Sequence, residues 1–139
     1  MAKSPQLNFT QNIKLTANVL VNANGTNIVN VFTAGSDDSI VKSLHAVSND
    51  SAAKVVNIYV HDGLQDIYIG STNVPLSSGN TGAVASVDLI SGTLFPSLPY
   101  DANGKRVLPL PAGYVVRANV QVAVTSGRSI TIVAMAEDY

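Results

Sequence analysis

Residues 114–139 read YVVRANVQVAVTSGRSITIVAMAEDY. Val115, Val116, Val120, Val122 and Val124 lead into a Thr-Ser-Gly-Arg step, and Ile130, Ile132, Val133, Ala134, Met135 and Ala136 follow it. β-Branched residues at this density suit a pleated surface and lose side-chain freedom in a helix. The spacing predicts two long strands joined by a tight turn at Ser126-Gly127, a terminal hairpin. One side of each strand is Val, Ile, Ala or Met. The other is small, polar and nearly uncharged until Glu137 and Asp138. Val115-Val116 and Ile132-Val133-Ala134 place apolar groups on both sides, the pattern of strands covered on both faces. A small sandwich covers only one face, so the other calls for a loop or another subunit, and assembly is the expectation.

Outward from this segment the same vocabulary repeats. Ile13, Leu15, Ala17, Val19 and Val21 alternate with Lys14, Thr16 and Asn18, the period of a half-buried strand. Asn24-Gly25 then carries the turn chemistry of a type I′ hairpin, with Asn27, Val29, Val31 and Thr33 on the return strand and Ile28 and Phe32 on its other side. Strands are expected at Ile40–Val47, at Lys54–Val60 and around Ile67-Tyr68-Ile69, separated by Asn-, Asp-, Ser- and Gly-rich breaks. Residues 75–83, PLSSGNTGA, form a loop. Val84–Leu89 is a further strand or the entry to a helix, and Leu89, Ile90 and Leu94 allow at most one short helix near 88–95, ended by Pro96. Residues 95–113, FPSLPYDANGKRVLPLPAG, make a long Pro- and Gly-rich excursion. Residues 1–11 are polar and contain Pro5, and are expected to be a flexible N-terminal arm on a single domain over 12–139. Short strands between turns throughout give an all-β, antiparallel sandwich or barrel.

The totals narrow the function classes. In 139 residues, 46% are hydrophobic but only 12% are charged, about half the usual quarter. Disorder needs the opposite combination. A net charge of −1 gives no basic field for phosphate backbones, so nucleic acid is not an expected partner. It also leaves little repulsion between copies. The absence of cysteine removes disulfides, thiol nucleophiles and Cys-ligated zinc. No apolar run reaches signal-peptide or membrane-span length, so synthesis in the cytoplasm without membrane insertion is expected.

No catalytic constellation stands out. Asp101-Ala102-Asn103-Gly104 opens like a calcium loop, but the later oxygen ligands and the closing Glu are missing, which leaves a local Asx-type turn. Asp37-Asp38 and Asp62 with Asp66 read as surface acids, although paired carboxylates are the raw material of a cation site. His45 and His61 lack metal-ligand spacing, and no serine sits in a G-x-S-x-G elbow. Gly79-Asn80-Thr81-Gly82 lacks the Lys of a phosphate loop. The sequons at Asn8, Asn24 and Asn49 matter only in a secretory pathway. Tyr59, Tyr68, Tyr100, Tyr114 and Tyr139 are spread over different segments and read as core-edge packing rather than a sugar platform. The chain is read as having no catalytic, cofactor-binding or metal-binding residues.

The terminal third, SLPYDANGKRVLPLPAGYVVRANVQVAVTSGRSITIVAMAEDY (97–139), resembles the C-terminal part of small virion structural proteins of tailed bacteriophages, those that attach to or decorate the head. Residues 21–60, 69–82 and 87–101 follow the same family pattern in order, so the resemblance runs over most of the chain from about Leu15. Its motifs are turns and sheet patterns without a chemical signature. The resemblance implies a β-sandwich of jelly-roll type, bound in many symmetric copies, with no catalytic residues. The expected role is then a non-enzymatic capsid decoration protein, made in the host cytoplasm and carried on the virion surface. Its expected partners are the major capsid protein and its own copies, a trimer before a dimer, with no nucleic acid and no membrane. The arm at 1–11, the 75–83 loop and the 95–111 segment are the candidate contacts. A tail or neck component and a carbohydrate- or receptor-binding sandwich are the alternatives.

Overall fold

The computed structural model describes residues 12–91 and 94–139. The expected arm at 1–11 lies outside the described residues, as do residues 92 and 93 of the expected helix. Nine strands follow in order: β1 (Asn12–Val21), β2 (Val29–Thr33), β3 (Ser39–Ser48), β4 (Lys54–His61), β5 (Asp66–Val74), β6 (Val87–Asp88), β7 (Leu108–Leu110), β8 (Val115–Val120) and β9 (Ser129–Asp138). Among the described residues there is no α-helix, and only a short 3-10 turn at Asn22–Asn24.

The strands form two sheets. In the first, the order is β1-β9-β3-β6, with β7 also paired to β3; in the second it is β2-β8-β4-β5, and all pairs are antiparallel. The pairing is nested. β1 meets β9, β2 meets β8, β3 meets β6 and β7, and β4 meets β5. The chain is thus one long ladder closed at the β4–β5 turn, rolled so that β9 also meets β3 and β8 also meets β4. That is the wrapping of a jelly roll, and the fold is an all-β antiparallel sandwich as expected.

Two local expectations are corrected. Residues 114–139 do not form a hairpin: β8 lies in one sheet and β9 in the other. The turn is present, with the Arg128 N–H donating to the Thr125 carbonyl at 2.9 Å. Gly127, its third residue, has φ of 78°, whereas the primed turns of two-residue hairpins need positive φ at the second residue. The preceding stretch is also pulled inward, with Val124 fully buried and Thr125 tied to Asp50. Asn24-Gly25 likewise turns the chain, yet β1 and β2 enter different sheets. Thr16 Oγ1 and Asn18 Nδ2 of β1 donate instead to the Val31 and Asn30 carbonyls of β2, each at 2.8 Å.

The core lies between the sheets. Leu20, Val41, Leu44, Ile130, Ile132 and Ala134 face Phe32, Val56, Ile58, Val116, Ala118 and Val120, and Leu89, Ile90, Phe95 and Leu110 close the flank. Burying a Val, Leu or Ile side chain contributes roughly 1.5–3 kcal/mol, so these positions dominate the stability of the sandwich.

Candidate interaction face

Alternation along β1 would put its apolar set inward. The structure does the reverse. Ile13, Leu15, Ala17, Val19 and Val21 point outward, with Ile13 83% and Leu15 66% exposed, while Lys14, Thr16 and Asn18 face the β2 side. Specific bonds hold this inversion. Besides the two side-chain bonds to β2, the Lys14 ammonium lies 2.6 Å from Asp138 Oδ2. Asp138 also accepts from the Ser39 hydroxyl, whose oxygen accepts the Gly35 N–H at 2.9 Å. Burial works against the Asp138 charge, but the Lys14 and Ser39 bonds outweigh it and hold the carboxyl below its ordinary pKa. Gly35 is required here, because a Cβ would stand 2.7 Å from Asp138 Oδ2.

The neighbouring strands extend the apolar surface. The ladder sets Leu15 beside Met135 and Ala17 beside Val133, and across β9 it sets Val133 beside His45 and Thr131 beside Val47. Met135 is 46% exposed. The outer face of the first sheet therefore carries an apolar stripe over β1 and β9. The Glu137–Lys42 pair at 3.7 Å bounds one end, and His45 and Asp88, cross-strand neighbours, bound the far edge. No described segment covers the stripe. A contiguous exposed apolar surface of this kind is uncommon on a protein that works alone.

The outer face of the second sheet is different. His61 Nδ1 lies 3.1 Å from Asp66 Oδ1, and Arg117 Nη1 donates to Asp66 Oδ2 at 2.8 Å. Asn57 Nδ2 donates to Asn119 Oδ1 and Gln121 Nε2 to Asn57 Oδ1, at 3.0 and 2.9 Å. Tyr59 and Tyr68, cross-strand partners in the β4–β5 hairpin, stand side by side with ring centroids 5.4 Å apart. This face is polar and hydrogen-bonded where the first is apolar.

The other candidates resolve into local structure. Asp62 Oδ1 accepts the Leu64 and Gln65 N–H groups, which hold its pKa low, and Asp101 Oδ1 accepts those of Asn103 and Lys105, an Asx-type turn. Asp38 Oδ1 accepts the Ala112 N–H at 2.8 Å. Among the described residues, no three His, Asp or Glu side chains converge on a metal position. The 75–83 loop is anchored at its start, where Ser78 Oγ donates to the Pro75 carbonyl at 2.6 Å and the Ser48 N–H to the Ser78 carbonyl at 2.8 Å. In the 95–111 segment, Phe95 packs on Gly70, where a Cβ would meet the ring at 2.6 Å. Arg106 lies 3.8 Å over the Tyr100 ring, and Leu108–Leu110 pairs with β3. A groove of about 260 Å³ opens between Ile69, Leu94, Phe95 and Leu98. The 75–83 loop also presents Leu76, half exposed beside its Ser78 anchor. Among the described residues, no helix is long and apolar enough to cross a membrane, a statement that does not reach β-barrels.

No family model matches the chain, and no curated protein matches it. Among solved structures, a chain of the "Cyanophage Pam1 capsid asymmetric unit" superposes with a TM-score of 0.45 at 14% identity, over all of this chain and 94% of that one.

Proposed function

We propose that this chain is a non-enzymatic structural protein of a tailed-phage virion that decorates the capsid by binding major capsid protein subunits. The observation that carries the contact reading is the inverted β1, whose apolar side is held outward by bonds on its polar side. A strand folded this way gives up core burial of Ile13 and Leu15 and keeps their surface available. The phage assignment is supported by the family pattern of residues 21–60, 69–82 and 87–139. Many copies on one shell multiply a modest contact by avidity. Association with its own copies belongs to the same reading, with the trimer as the expected order. The arm at 1–11, Leu76 of the 75–83 loop and the groove of the 95–111 segment are the accessory contacts. Deleting residues 1–11 and measuring copies per particle tests the arm. Reduced occupancy is expected, and unchanged occupancy removes the arm from the proposal.

A second reading is favoured by one observation. The Tyr59–Tyr68 pair, with Tyr68 more than half exposed beside hydrogen-bonding amides, is the chemistry of a sugar-stacking surface. A glycan array with and without calcium separates the two readings: binding lost in Tyr68→Ala supports the sugar surface, and no binding leaves capsid contact alone. A tail or neck position would keep the same contact chemistry and differ only in where the protein sits on the particle.

A further inference from the structure

Among the described residues, no strand pairs the outer edge of β1; this edge is distinct from the apolar face, and we infer that it pairs with β1 of a second copy about a two-fold axis. This rests on the reading of the protein as one that works by protein contact. Edge strands in stable proteins are blunted by bulges, Pro, charge or brevity. The other edges here have such devices. β2 is bulged between Asn30 and Phe32 and capped by Thr16 and Asn18. β5 carries a register shift opposite Ile58 and Tyr59, and β6 and β7 are two and three residues long. β1 is ten residues long, without Pro and without a break in its register. Its one charge, Lys14, is turned inward onto Asp138.

The backbone direction follows from two bonds. The Val21 N–H donates to Asn24 Oδ1 at 2.8 Å, away from β9. Opposite it, the Ser129 carbonyl accepts the Asn49 N–H at 3.1 Å, away from β1. Alternation along an antiparallel ladder then aims the N–H and C=O groups of Ile13, Leu15, Ala17 and Val19 at the open edge. Apart from Lys14 and Leu20, the polarity of the strand is palindromic about Ala17: Leu15 and Val19, then Ile13 and Val21, sit symmetrically, as do Thr16 and Asn18. An isologous contact needs such self-complementarity. With Ala17 opposite Ala17 of the second copy, Leu15 lies opposite Val19 and Lys14 opposite Leu20, so no like charges meet. The edge-directed groups then fall in the hydrogen-bonded pairs. The paired sheets also carry one continuous apolar stripe. A two-fold contact closes at two copies, so any three-fold association must use another surface.

The chain has no cysteine, so Ala17→Cys supplies a unique reporter. A hydrogen-bonded antiparallel pair has Cα atoms about 5.5 Å apart, within disulfide reach. In the purified full-length variant, without shells, mild oxidation is expected to shift the 14.5 kDa chain to a species of twice that mass. Leu64→Cys, at a position 93% exposed at the β4–β5 tip, is expected to form no covalent cross-link under the same conditions. In the wild type, the amides of Leu15, Ala17 and Val19 are expected to gain hydrogen-exchange protection as concentration rises. Equal cross-linking at positions 17 and 64 overturns the inference. So does a wild type that sediments as a monomer at every concentration, or one whose edge amides are protected in the monomer, since the latter places residues 1–11 of the same chain on the edge. A cross-linked pair that fails to bind particles retains the two-fold contact and sinks only the capsid reading.

Discussion

Asp50 has no exposed surface, yet it is held as a carboxylate. Burial alone would raise its pKa. Against that, Oδ2 accepts the Thr125 N–H, Oδ1 accepts the Thr125 hydroxyl and the Ala52 N–H at 2.7 and 3.0 Å, and Lys54 adds its field. The bonds win, and the pKa lies below 3.8. Asp138 at the other end of the sandwich is lowered in the same way by Lys14 and Ser39. Because both folded-state values are depressed, the unfolded chain takes up these protons first as pH falls. Their stabilisation is complete above the ordinary carboxylate pKa and is lost as pH drops through the folded-state values. Calorimetry is expected to show a Tm that is flat near neutrality and falls below about pH 4. Asp50→Asn turns an amide N–H group toward the Thr125 donors and is expected to destabilise by about 2 kcal/mol. A Tm for this variant equal to wild type would mean that the 48–52 and 121–128 segments do not depend on this carboxylate.

At the scale of elements, strand content was legible because Val, Ile and Thr runs between Asn, Gly and Ser turns admit little else. Partnership was not. Ser126-Gly127 and Asn24-Gly25 announce turns, but only the φ values and the pull of Val124 and Thr125 into the end of the sandwich decide that each turn changes sheet. The interaction face was half legible. Doubled apolar residues at Ile132-Val133-Ala134 signalled a strand with a use for both faces, and Val133 does lie on the outer face. The inversion of β1 was hidden, because Lys14, Thr16 and Asn18 read as solvent-facing until Asp138, Val31 and Asn30 supply partners far along the chain. The tyrosine pair was hidden for a different reason: Tyr59 and Tyr68 come opposite each other only through the bulged β4–β5 register. The two sides of the first sheet should respond oppositely to substitution. Ile132→Ala opens a core cavity and is expected to destabilise by roughly 2–5 kcal/mol. Leu15→Lys, on the exposed stripe, is expected to stay within about 0.5 kcal/mol of wild type while copies per particle fall. Denaturant midpoints and particle occupancy, measured together on both variants, check the pair; a Leu15→Lys protein that unfolds as readily as Ile132→Ala would place the β1 side chains in the core.

On the scale of the whole molecule, the sandwich has two unlike sides. The outer face of the second sheet carries amide, imidazole and guanidinium groups that bond to one another. The outer face of the first presents Ile13, Leu15, Val19 and Met135 to whatever comes against it. With a net charge of −1, little long-range field opposes that approach. On the proposed function, the sheet with the apolar outer face is the one turned to the partner. Cryo-electron microscopy of phage particles assembled with the protein tests this reading most directly. The expected density has the β1–β9 stripe turned onto neighbouring protein, with Tyr59, Tyr68 and Arg117 facing solvent. A particle that grips the second sheet and leaves Leu15 and Met135 in water, or one that lacks the protein altogether, would contradict it.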